Sequence, residues 1–196
     1  IVLAMRPKQW VKNLLLFLPL VFAKEFCNLE KLLAVSAGFC VFSLVSSGIY
    51  LLNDVYDRAR DRLHPLKRLR PVASGRLEVW HAVTAGLALS LGSAVLAFTL
   101  SREFGVLVVA YFIVNRLYTE VFKHQIILDV LTLGVLFTIR VIAGSVLAHV
   151  EASYWLLICT FMLALFLGFA KRRHELALLD EEGEGHRRVL AHYSAY

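Results

Sequence analysis

Residues 31–75 read KLLAVSAGFCVFSLVSSGIYLLNDVYDRARDRLHPLKRLRPVASG. Up to Leu52 the stretch carries one charge, Lys31, and is otherwise apolar or small, which suits a helix crossing the roughly 30 Å hydrocarbon core of a bilayer. From Asn53 it turns abruptly to Asp, Lys and Arg, and Pro65 and Pro71 end the helical pattern. Apolar runs recur at 77–100, 104–122, 126–148 and 153–170. A shorter run at 11–23 contains Pro19, which kinks a membrane helix without abolishing it. The 196-residue chain is 59% hydrophobic, above the roughly 45–50% usual for soluble domains, and its mean hydropathy is +0.67. The expected fold class is an all-α polytopic membrane protein, one transmembrane helical domain over 1–196 with about six spans and no low-complexity linker.

The net charge of +6 points to nucleic acid only until its distribution is read. With the amino terminus cytoplasmic and all six runs spanning, every Lys and Arg except Lys24, Lys31, Arg102 and Arg140 falls on or near the cytoplasmic side. The positive-inside rule thus sets the orientation and places the Asp-rich segment on the cytoplasmic face of a bacterial or archaeal-type cell membrane. The first run lacks a small-residue cleavage pair, since Lys24 and Glu25 stand where one is expected, so it reads as a span and not a signal peptide. A chain opening on Ile1 without methionine is expected to lack a short amino-terminal piece. Cys27, Cys40 and Cys159 are unevenly spaced and read as free thiols, and the seven histidines show no zinc-ligand spacing. Small residues such as Ser43, Ser46, Ser47 and Gly48, or Gly86, Ser90 and Ser93, mark close helix packing. Polar residues follow the second, fourth and sixth runs, so alternate helices aim them at one membrane surface.

Asp54, Asp57 and Asp61 recur at helical spacing, with Asn53 one turn before Asp57. Like charges on one stripe need a compensating cation: either Arg58, Arg60 and Arg62 supply it, or a divalent metal does. Magnesium takes a few carboxylate oxygens together with phosphate and water, which this spacing offers. Beyond His64 and Pro65, the loop residues Lys67, Arg68 and Arg70 fold back toward the aspartates, where Arg grips phosphate oxygens bidentately and Lys acts as a point charge. The pattern suits a diphosphate clamp. A solvated loop anchored to anionic lipid accounts for the cations but not for the aspartates in register.

Asn53-Asp54-x-x-Asp57-x-x-x-Asp61, with Arg70-Pro71 and Ser74-Gly75, resembles the first aspartate-rich motif of the UbiA-type membrane prenyltransferase superfamily. Arg6-Pro7-Lys8-Gln9-Trp10-Val11-Lys12-Asn13, His64-Pro65-x-Lys67-Arg68-x-Arg70-Pro71 and Lys171-Arg172-x-x-Glu175-Leu176 resemble its decaprenyl-phosphate phosphoribosyltransferase branch. The resemblance implies transfer of phosphoribosyl from phosphoribosyl pyrophosphate to a polyprenyl phosphate, releasing diphosphate, for cell-wall arabinan precursors. It implies Mg2+ on Asp54, Asp57, Asp61 and Asn53, with Lys67, Arg68 and Arg70 on the donor phosphates. Lys171, Arg172 and Glu175 then belong to the substrate site, with the two cations on the acceptor phosphate and the lipid tail between helices. Tyr118 and Lys123 match a Tyr and Lys near the phosphate site of the family. Two departures stand out: Lys171-Arg172-Arg173-His174-Glu175 replaces a second aspartate-rich motif, and about six spans stand where nine are usual, so the chain is expected to stop before the last three.

Asp129 and Arg140 are ionisable residues inside a run and are functional candidates for that reason. Roughly 16 Å apart along a helix, they are too distant to pair; Asp129 is expected in the donor site, and Arg140 near a lipid phosphate or an acid on another helix. Gly183 and Gly185 amid acids read as a solvated loop. The rival enzyme reading is an aromatic or quinone-precursor polyprenyltransferase using a polyprenyl diphosphate. The non-enzyme rival is a transporter or channel lined by Asp129 and Arg140. A homo-oligomer stays open.

Overall fold

The computed structural model describes residues 1–182, except for the side chains of His124, Ile126 and 174–182. The loop expected around Gly183 and Gly185 and the side chain of Glu175 therefore lie outside the described residues. The elements run α1 (Val2–Met5), a 3-10 helix (Pro7–Phe17), α2 (Leu18–Phe22), α3 (Leu29–Tyr56), α4 (Arg58–Leu63), α5 (Val79–Leu100), α6 (Arg102–Glu120), α7 (Ile126–Ala148) and α8 (Tyr154–Glu182). One-turn 3-10 segments at Lys67–Leu69 and Phe122–His124 lie in the loops, and the described residues contain no strand.

By length and apolarity α3, α5, α7 and α8 qualify as membrane spans. The run expected at 104–122 is the helix α6, which carries Arg102, Glu103, Arg116 and Glu120 near its ends. The run expected at 11–23 differs more: it is eleven residues of 3-10 helix followed by the five of α2. At about 2.0 Å per residue in the first part and 1.5 Å in the second, the pair still reaches about 30 Å. Tighter winding lets sixteen residues cover a distance that an α-helix needs about twenty to cover. The exposed faces of α5 and α8 are apolar, with Leu87, Leu91, Val95, Phe166 and Leu167, a surface suited to lipid.

Local chemistry sets the helix ends. Asn28 caps α3 by accepting from the Lys31 amide at 3.3 Å, and Ser101 caps α6 through the Phe104 amide at 3.0 Å. With 28 residues α3 extends about 42 Å, so its last turns emerge beyond a hydrocarbon core of about 30 Å. Phe42, Phe104 and Tyr111 form the centre of the larger core, Phe42 meeting Phe104 at 5.8 Å and the Tyr111 ring edge-on at 5.2 Å between centroids.

Two glycines allow the closest approaches. A Cβ on Gly48 of α3 would lie 2.8 Å from the Gly86 carbonyl of α5, so small residues let these helices pack backbone to backbone. A Cβ on Gly144 of α7 would run into the backbone of Leu16, so the 3-10 helix lies directly on α7. A second, smaller core of Ala4, Leu51, Val72, Leu77 and Ala82 ties α1 and the loop after α4 to the end of α3.

Candidate functional site

The end of α3 is where these elements meet. Asp57 takes a non-helical conformation (φ −86°, ψ 1°), yet its amide bonds to the Asn53 carbonyl and the Asp61 amide bonds back to Asp57 at 2.8 Å. Helical hydrogen bonding thus continues from α3 into α4 across Asp57. Asp54 and Asp61 point inward, 2% and 4% exposed, while the Asp57 side chain keeps a quarter of its surface. His64, preceding Pro65, is extended and ends α4, as the steric demand of a following proline requires.

The loop that follows is anchored, unlike a solvated lipid-binding segment. Val72 and Ala73 are buried in or beside the smaller core, the Leu77 amide bonds to the Pro71 carbonyl at 2.9 Å, and His64 Nδ1 accepts from the Leu66 amide at 3.2 Å. Pro71 holds Arg70 extended (φ −60°, ψ 145°), which turns its guanidinium back onto the aspartates. Arg70 Nη1 lies 2.6 Å from Asp61 Oδ2 and 3.4 Å from Asp54 Oδ1. Arg6 Nη2 pairs with the same Asp54 oxygen, from a left-handed backbone conformation (φ 54°) that joins α1 to the 3-10 helix. Lys123 Nζ sits 2.8 Å from Asp57 Oδ1 and over the Tyr56 ring. The Thr119 hydroxyl donates to Asn53 Oδ1 at 3.0 Å.

The compensation foreseen from Arg58, Arg60 and Arg62 is therefore not the one the fold uses. Arg62 turns away to donate to the Ala73 carbonyl at 3.1 Å, and Arg6, Arg70 and Lys123 neutralise the acids from three other segments. The reason is geometric: charges adjacent in sequence on a helix project from different faces, whereas folded-back loops can reach the same face.

Magnesium fits the donor set as one partner among several. Asp54 Oδ2 is buried and has no hydrogen-bond partner, an acceptor that calls for a cation. Among the described residues no three His, Cys, Asp or Glu side chains stand close enough to hold a metal between them. A site of this kind completes its coordination with substrate phosphate and water, which is how magnesium is usually held.

A second ion-pair group lies beside the first. Arg172 of α8 holds Asp129 of α7 through Nε at 2.5 Å and Nη2 at 3.1 Å, with both side chains almost fully buried. Tyr118 donates to Asp129 Oδ1 at 2.8 Å. Arg172, expected on a phosphate, and Asp129, expected in the donor site, are joined by the fold in this bidentate pair between α7 and α8. Lys171 and Arg68 are exposed, and Lys67 is partly exposed on its 3-10 turn. Deeper in the bundle Arg140, 4% exposed, bonds through Nε to Asn13 Oδ1 at 2.9 Å and through Nη2 to the Tyr111 hydroxyl at 2.6 Å.

Asn53, Asp54, Asp57, Asp61, Arg70 and Lys123 are thus brought together, while Tyr118, Asp129 and Arg172 form a neighbouring unit. Arg6, Thr119, Asn13 and Tyr111 escaped the sequence reading as site residues. Asn13, a carboxamide within an apolar run, was the one signal that could have flagged a buried polar contact.

The profile of the UbiA prenyltransferase family matches residues 14–191. The chain is similar to the decaprenyl-phosphate phosphoribosyltransferase of Mycolicibacterium smegmatis, 37% identical over 98% of this chain and 62% of that protein. It is also similar to the enzyme of the same name from Mycobacterium tuberculosis H37Rv, 35% identical over 100% of this chain and 66% of that protein. The chain thus spans a little under two thirds of these relatives. Among solved structures, a UbiA homolog from Archaeoglobus fulgidus bound to DMAPP and Mg2+ superposes with a TM-score of 0.79 at 20% identity, over 95% of this chain and 67% of that one. At that identity the likeness establishes the fold.

Proposed function

The chain belongs to the UbiA prenyltransferase family, and on that premise we propose that it transfers 5-phosphoribosyl from phosphoribosyl pyrophosphate to a polyprenyl phosphate, releasing diphosphate. The observation that carries the reading is the arrangement at the end of α3. Buried aspartates meet cations from the amino-terminal segment, the loop after α4 and the loop after α6, and one carboxylate oxygen is left without a partner. Similarity to relatives named decaprenyl-phosphate phosphoribosyltransferase supports the choice of donor and acceptor.

Asp54, Asp57, Asp61 and Asn53 would supply the protein ligands to magnesium, with substrate phosphate and water completing a coordination that the acids alone do not close; when bound, the ion would neutralise charge on the leaving diphosphate. Arg70 and Lys123, with Lys67 and Arg68 from the same loop as Arg70, grip the donor phosphates. These cations gain most as the bond from the ribose C1 to diphosphate lengthens, because negative charge then grows on the leaving oxygens. The electron pair of that bond leaves with diphosphate, and an oxygen of the acceptor phosphate forms the new bond to C1. In-line displacement inverts the anomeric centre and keeps the 5-phosphate. The acceptor is already anionic, so no proton moves and no general base is required. Arg172 fixes Asp129 and through it the Tyr118 hydroxyl, a positioning role at the edge of the donor site. The reacting end and the amino terminus face the cytoplasm, in keeping with the Lys and Arg distribution.

The test is turnover of the chain in lipid with phosphoribosyl pyrophosphate and labelled polyprenyl phosphate. A parallel arm supplies labelled polyprenyl diphosphate with a hydroxybenzoate. Phosphoribosylated lipid in the first arm, lost on chelation of Mg2+ and in both Asp57→Ala and Asp61→Ala, is the expected result. Product in the second arm alone replaces the reading with an aromatic prenyltransferase.

A further inference from the structure

Among the described residues two buried side-chain atoms lack a hydrogen-bond partner, Asp54 Oδ2 and Arg58 Nε. One is an acceptor on a carboxylate, the other a donor on a guanidinium, and they belong to residues four positions apart. Helical hydrogen bonding runs through Asp57, whose amide bonds to the Asn53 carbonyl and whose own carbonyl accepts from the Asp61 amide. At about 100° per residue, Arg58 turns away from its neighbour Asp57 but comes within about 60° of both Asp54 and Asp61 around the axis. It therefore stands on the stripe that carries the two buried acids, whereas Arg60 projects from the opposite side and is exposed.

Arg58 is nonetheless not the counter-ion of those acids. Asp54 holds Arg6 and Arg70, Asp61 holds Arg70, and Asp57 holds Lys123, so the three carboxylates are already answered by three cations. Arg58 is a positive charge beyond that balance, with one donor taken out of water and given no acceptor in return. Leaving a buried donor unpaired is costly, so such an atom in a native fold points to a ligand that the protein is built to receive. Asp54 Oδ2 and Arg58 Nε do not satisfy each other, and each calls for the opposite of what the other offers. The carboxylate oxygen needs a cation and the guanidinium an anion. A metal ion with a phosphate bound to it supplies both, across the roughly 5–6 Å that separates side chains one helical turn apart.

We propose that Arg58 binds the metal-linked phosphate of the donor and sets the preference of the site for a metal diphosphate over either component alone. This rests on the phosphoribosyl-transfer reading only for which diphosphate is bound. Lys67 and Arg68 come from the loop after α4, whereas Arg58 shares a helical stretch with the acids that would hold the metal. Its place relative to that metal is thus fixed by helical geometry and not by how the loop closes. A divalent ion on Asp54 Oδ2 adds to the positive excess that Arg58 creates, and a polyanion offsets this where a neutral or singly charged ligand does not. Arg binds phosphate oxygens through a planar fork, so the contact selects orientation as well as charge.

The experiment measures binding of inorganic diphosphate to the chain in nanodiscs by calorimetry, with and without Mg2+, then melting temperatures and transfer from phosphoribosyl pyrophosphate. The wild type is expected to bind diphosphate when Mg2+ is present and to melt at a higher temperature once it has done so. Arg58→Met is expected to weaken that binding by about tenfold or more, as the loss of a hydrogen bond to a charged group requires, while melting like the wild type without ligand. Arg58→Lys keeps the charge without the fork and should fall between the two. Arg60→Met removes the same charge from the exposed side of α4 and should bind like the wild type. Equal binding by the wild type and Arg58→Met overturns the proposal. So does an equal loss in Arg60→Met, which would reduce the effect to net charge, and so does a wild type that binds no diphosphate with Mg2+. A ligand-free Arg58→Met that melts lower yet keeps its diphosphate affinity would make Arg58 a structural counter-ion and overturns it too. Diphosphate binding that depends on Arg58, with no transfer from phosphoribosyl pyrophosphate, leaves the role of the residue standing and refutes the reaction.

Discussion

At the scale of single residues, the site is governed by which cation answers which carboxylate. Arg70 bridges Asp54 and Asp61, so replacing it takes from Asp61, 4% exposed, its ion pair among the described residues, while Asp54 keeps Arg6. Removing one member of a buried pair costs about 3–5 kcal/mol, and the partial exposure of Arg70 argues for the lower end. Arg70→Ala is therefore expected to lower the melting temperature measured in detergent. Adding Asp61→Asn should recover part of that loss, with a coupling of about 0.5–3 kcal/mol in a double-mutant cycle. Purely additive effects would mean that the two side chains do not share an interaction. The aspartates, Asn53 and Arg70 were legible in the sequence because their chemistry and spacing are unusual for a membrane chain, and Lys123 only through the family resemblance. The pairings were not, since Arg6 and Lys123 are far from Asp54 and Asp57 along the chain and meet them only through the fold.

At the scale of elements, the 3-10 helix from Pro7 to Phe17 departs most from the sequence reading, which expects a proline-kinked span at 11–23. Runs of this winding longer than three or four residues are uncommon, because its hydrogen bonds are poorer than those of an α-helix. Contact with α7 compensates here: Gly144 admits the Leu16 backbone, and Asn13 reaches Arg140. Gly144→Val should therefore separate the two elements. Overpacking costs about 1–3 kcal/mol when side chains can yield, and here the obstacle is backbone, so a loss at or above the top of that range is expected. Thermal unfolding checks the stability. A variant that unfolds at the wild-type temperature would show that the close approach is dispensable. Pro71 is the corresponding device in the loop, setting Arg70 extended by steric exclusion.

For the whole molecule, the side chains of the candidate site gather at one end of the bundle. The α3 and α6 ends, the start of α7, the later part of α8 and the segment before the 3-10 helix all contribute there. Cys27, exposed between α2 and α3, lies at the opposite end. If the site faces the cytoplasm, as proposed, a membrane-impermeant maleimide should label Cys27 in intact cells, and Cys27→Ser should abolish that signal. Labelling confined to inverted vesicles would reverse the orientation. The amino-acid sequence by itself determined that the chain is a helical membrane protein, which helix end is charged and which acids stand in register. These are consequences of hydropathy, residue chemistry and helical period, all local along the chain. Only the tertiary structure decided which cations neutralise those acids, that Arg172 is held by Asp129, and that Arg140 is surrounded by neutral partners. Counter-ions are chosen by proximity in space, and which of the segments carrying Arg6, Arg70 and Lys123 meets which aspartate is set by the packing of the whole bundle, which no local pattern encodes.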